Sequence, residues 1–108
     1  MPIPQDKKLT VINRVEPGCL GPNGDNLVKD FCVFAQKEFA DQELEYIDWQ
    51  VIPRVDKTLS ELQYRVNNKD LTRDQAEKYL SLFDERIEEF ESLLGDMLTH
   101  LIEDFAGR

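Results

Sequence analysis

Residues 52–66 of the chain read IPRVDKTLSELQYRV. Their apolar members, Ile52, Val55, Leu59, Leu62 and Val66, advance by threes and fours, the spacing of a helix seam. The same rhythm returns downstream from Ala76 through Leu80, Phe83, Ile87, Phe90, Leu94, Met97 and Leu101. Folded back as a hairpin, one register sets Val66 against Ala76, Leu62 against Leu80, Leu59 against Phe83, Val55 against Ile87 and Ile52 against Phe90. This reading predicts a mainly α fold, a three-helix bundle built on a long antiparallel helical hairpin. It is one domain over 1–108: residues 1–24 form an N-terminal extended segment and Pro/Gly loop, and 25–108 form the helical bundle.

Working outward, Asp25 is the expected N-cap of a first helix over 26–39, whose apolar face holds Leu27, Val28, Phe31, Cys32, Phe34, Ala35 and Phe39. A second helix is expected from Asp41 to Asn67, with Glu43 and Glu45 complementing the dipole at its start and Asn67-Asn68 suiting a left-handed end. Pro53 lies inside it and predicts a kink near residues 49–53. The third helix opens on a capping box, Thr72 as N-cap with Gln75 reaching back, and runs to about Ala106, with Gly107 as its stop. At about 1.5 Å per residue it would be on the order of 50 Å long and would protrude from a compact domain. Gly95 in its middle predicts a close helix approach.

Before the helices, Leu9, Val11 and Val15 alternate with Thr10, Ile12 and Arg14, the period of a short strand. A lone strand leaves its backbone unsatisfied, so it must pair, a second copy of the chain being one partner. Glu16-Pro17-Gly18-Cys19-Leu20-Gly21-Pro22-Asn23-Gly24 is the longest irregular segment and the natural place for a site.

Composition narrows the function classes. The net charge is −9, from 22 acidic and 13 basic residues, which repels a phosphate backbone and argues against direct nucleic-acid binding. No apolar run reaches the roughly 18 residues of a membrane span. The start of the chain lacks the basic-then-apolar order of a signal peptide, so a cytoplasmic protein without membrane contact is expected. With 2 cysteines and 1 histidine the chain cannot assemble a four-ligand structural zinc site, and neither a metal nor another cofactor is expected.

Two features stand apart from packing. Glu85, Glu88, Glu89 and Glu91, beside Asp84 and with Arg86 alone among them, make the densest acidic stretch, which is either a solvated face or a docking surface for a basic protein partner. Cys19 in the Pro/Gly loop is the candidate thiol; catalytic use would require a neighbouring base, cation or helix N-terminus. Cys32 reads as a small buried hydrophobe. His100, with Asp96 and Glu103 on the same helix surface, reads as a solvated residue. The functional expectation is a non-catalytic acidic helical protein–protein interaction or regulatory module that forms a homodimer. The alternatives are a thiol-dependent enzyme or redox protein centred on Cys19, and an acidic nucleic-acid mimic that inhibits a basic protein.

Overall fold

In the computed structural model, which describes residues 4–41 and 46–106, strands and helices are interleaved. Strand β1 (Leu9–Val15) leads to helix α1 (Gly24–Ala40), then strands β2 (Ile47–Pro53), β3 (Leu62–Val66) and β4 (Lys69–Leu71), and finally helices α2 (Arg73–Ser81) and α3 (Ile87–Ala106). Short 3-10 turns occupy Gln5–Lys7 and Pro17–Leu20. The sheet order is β2-β1-β3-β4, with β1 parallel to β2 and antiparallel to β3, and β3 antiparallel to β4.

This overturns the three-helix bundle and its hairpin: the fold is α/β. The error lies in the stretch that suggested it. Between Ile47 and Pro53 the odd positions are Ile47, Trp49 and Val51, all buried, while Gln50 and Ile52 are exposed. That is a period of two in β-branched and aromatic residues, and Pro53 sits where the strand ends rather than inside a helix. The supposed seam draws its members from unrelated places. Ile52 is on the open side of β2, Val55 and Leu59 lie in the loop after it, 85% and 42% exposed, and Leu62 and Val66 belong to β3. Leu59 therefore does not form a layer with Phe83, whose ring instead stacks on Tyr46 at 4.0 Å.

Asn67 and Asn68 have φ of 51° and 64°, the two positive values that a two-residue hairpin turn of right-handed twist requires. The expected left-handed conformation is present, but it joins β3 to β4 instead of ending a helix. The capping box at Thr72 is formed as expected: its hydroxyl accepts from Gln75 N, and the Gln75 side chain accepts from Thr72 N. The helix it opens, α2, stops after nine residues. Asp84 N reaches Ser81 O and Glu85 N reaches Leu80 O, the paired bonds of a Schellman termination, with Asp84 at φ 61°. The chain then restarts as α3, so the expected long third helix is two helices, and the molecule measures 41 × 29 × 23 Å. Helix α1 starts one residue ahead of Asp25, with Asn23 at the N-cap. The expectations placed on Glu43, Glu45 and Gly107 fall outside the described residues.

One face of the sheet carries the core. Leu9, Val11 and Val15 of β1, Ile47, Trp49 and Val51 of β2, and Tyr64 of β3 pack under Phe31, Cys32, Ala35 and Phe39 of α1, Leu80 of α2, and Ile87, Phe90, Leu94 and Leu101 of α3. Trp49 is the junction, its ring 5.0 Å from Phe39 and 5.9 Å from Phe90. Among the described residues the opposite face has no helix layer, and it is mainly polar, with Ile12 buried and Ile52 exposed among the polar side chains. Arg14 donates to Gln63 Oε1 at 2.6 Å, Gln63 to Asp70 at 2.7 Å, and Arg65 to the same Asp70 oxygen at 2.6 Å. The strand at Leu9–Val15 is where its alternation predicted, and it finds both neighbours within the chain.

Candidate binding groove

Strand β2 forms one edge of the sheet. Successive backbone groups of a strand point to opposite sides, and Leu9 N bonds Tyr46 O while Arg54 N bonds Val15 O, so the even positions face β1. Ile47, Trp49, Val51 and Pro53 therefore turn their backbone groups to the free edge. Pro53 has no N–H to offer there, and its carbonyl already accepts from Val55 N, so the open groups lie between Ile47 and Val51. Above this edge runs α1. The Gln36 side chain descends from it, its Nε2 donating to Trp49 O at 2.7 Å and its Oε1 accepting from Val51 N at 2.8 Å. One side-chain amide thus closes two strand-edge groups.

Lys29, Cys32, Val33, Gln36 and Lys37 lie at positions i, i+3, i+4, i+7 and i+8 of α1 and so share one flank. With Val51 and Pro53 they line a groove of about 440 Å³, mainly apolar, in which Lys29 and Lys37 are the only charged side chains among the described residues. Val33 is 61% exposed at its mouth. Cys32 forms a wall; burial pushes its thiol up to about 11, which keeps it protonated and unreactive at neutral pH.

The residues singled out from the sequence are dispersed by comparison. Glu91 is a structural tie: its carboxylate accepts from Tyr64 Oη at 3.1 Å and Arg73 Nε at 3.2 Å, joining α3 to β3 and to the start of α2. Burial and then the Glu91 charge hold the Tyr64 phenol above its ordinary value, while Glu91 also raises Arg73. Glu88 and Glu89 are exposed in the first turn of α3, where negative charge complements the helix dipole. Glu85 lies half-buried in the break before α3, and its charge adds to burial in raising Tyr46. Pro53 and the acidic stretch are not neighbours: Pro53 closes β2 beside α1, whereas Glu91 meets β3 and α2.

Cys19 is exposed in the 3-10 turn, and among the described residues its thiol has no hydrogen-bonded base or cation. Both cysteines are free. His100 is exposed on α3, and among the described residues no group of three or more His, Cys, Asp or Glu could hold a metal ion. No family model, curated protein or solved structure matches the chain.

The groove residues were missed because their signals are faint in one dimension. Val33 stands apart from the main apolar face of α1, between Lys29 and Lys37 on its polar side, a sign of a second contact. Gln36 is an ordinary polar residue until the neighbouring strand edge is known.

Proposed function

We propose that this protein is a non-catalytic protein-interaction module that docks its partner in the groove between α1 and β2. The observation that carries the reading is an exposed apolar groove running beside a strand edge, a feature that the fold's own packing does not require. The acidic stretch has other employment in the molecule, Glu91 in a hydrogen-bonded tie and Glu88 and Glu89 at a helix start. Its remaining charge favours solubility and discourages contact with nucleic acid. A thiol reading centred on Cys19 has no second group among the described residues to support it.

Among the described residues no helix is long and apolar enough to cross a membrane. Free Cys19 and Cys32 suit a reducing compartment, and the reading assigns the protein to the cytoplasm.

The test compares two variants in recovery of the partner from the native cell. Val33→Asp places a charge at an exposed apolar site; it should alter stability by no more than about 0.5 kcal/mol and abolish recovery. Glu85→Gln/Glu88→Gln/Glu89→Gln should recover the partner as the wild type does. The reverse pattern would return the contact to the acidic end of α3.

A further inference from the structure

The groove combines an apolar lining, a row of outward backbone groups and a basic rim. A helix laid into it could use the first but would have no free N–H or C=O groups to give the strand edge. An extended chain uses all three. The bonding of Gln36 shows the pattern in miniature: an amide that donates to the carbonyl of residue 49 and accepts from the N–H of residue 51 makes the two bonds of one residue in a parallel neighbouring strand. On the rim, Lys29 and Lys37 stand two helical turns apart, and among the described residues no acidic side chain lines the groove. In a chain of net charge −9 this local reversal of sign discriminates against a second copy, whose own rim would present the same lysines.

We infer that the groove accepts one extended segment of a partner chain, which adds to the edge of β2, sets apolar side chains against Val33 and Val51, and places carboxylates beside Lys29 and Lys37. Gln36 is the latch that this segment displaces. Until then its amide covers the edge and blocks pairing between copies of the chain. Alternate side chains of the added strand fall on the other face of the sheet, where Ile52 is 39% exposed at the same edge. The inference rests on the groove being the contact surface and adds the form and charge of what binds.

A random peptide library displayed on phage and selected on the full chain supplies the probe, with the enriched sequences then made as synthetic peptides. The expected peptides alternate apolar residues and carry Asp or Glu, and they shift the amide resonances of Val33, Val51 and Ile52. Lys29→Glu with Lys37→Glu should weaken them about tenfold, the worth of two partly exposed ion pairs. Gln36→Met keeps the length of the side chain without its amide and should tighten them roughly tenfold, because two hydrogen bonds no longer have to be broken first. Native circular dichroism of each variant establishes that the fold is intact. If no peptide is enriched, or the peptides bind elsewhere, the groove itself is lost as the contact surface. Peptides that enter the groove as helices, carry basic residues or ignore the lysine reversal would overturn the strand while leaving the groove. A Gln36→Met protein that self-associates through β2 without gaining peptide affinity would assign the edge to a second copy and equally overturn it.

Discussion

A Cβ built on Gly24 would fall 1.7 Å from the carbonyl oxygen of Pro17, because α1 begins against the 3-10 turn that precedes it. Backbone must move to accommodate any side chain there, so Gly24→Ala should destabilise by about 2 kcal/mol or more, measured by urea denaturation. Gly95 is the opposite case. Among the described residues nothing lies within 4 Å of its would-be Cβ, which corrects the expectation of a close helix approach, and Gly95→Ala should stabilise α3 by about 0.5–1 kcal/mol. The two substitutions are chemically identical, and their opposite signs test whether the surroundings of each residue are as described. Equal effects would contradict that description.

Asp84 holds a left-handed conformation to end α2, a position where glycine avoids the Cβ clash. Asp84→Gly should therefore raise stability by about 0.5–1 kcal/mol, and a calorimetric melting temperature below that of the wild type would contradict the Schellman termination. This turn also explains what could be read from the sequence. Local signals were legible where one short motif decides the outcome: the alternation of Leu9–Val15, the apolar face of α1, the box at Thr72 and the positive φ of Asn67-Asn68. The element between residues 47 and 66 was not, because Ile52, Val55, Leu59, Leu62 and Val66 match a heptad by spacing while the local alternation of Ile47, Trp49 and Val51 points to a strand. Pairing with β1 settles that contest, and such pairing is a tertiary fact. The site was hidden for the same reason. Gln36 and Val51 are distant in sequence and acquire meaning only when α1 crosses the edge of β2.

Across the molecule, charge is arranged in local ties on the polar side and end of the sheet. Hydrogen bonding from Lys57, helped by Arg54 and opposed by some burial, holds Glu16 below its ordinary 4.5; Arg65 holds Asp70 below 3.8. A carboxyl lowered in the folded state contributes stability above its unfolded value and loses it as pH falls through the folded one. An acid limb should thus begin below about pH 4.5 and be shallower in Glu16→Gln/Asp70→Asn, as followed by circular dichroism through an acid titration. Added salt should reduce the same contribution, since these carboxylates are at the surface. Hydrogen–deuterium exchange on the full chain, with and without the partner purified from the native cell, reads every candidate surface at once. Docking in the groove should add protection in peptides spanning 29–37 and 47–53 and none over 84–91; protection confined to 84–91, with the groove unchanged, would rule that docking out.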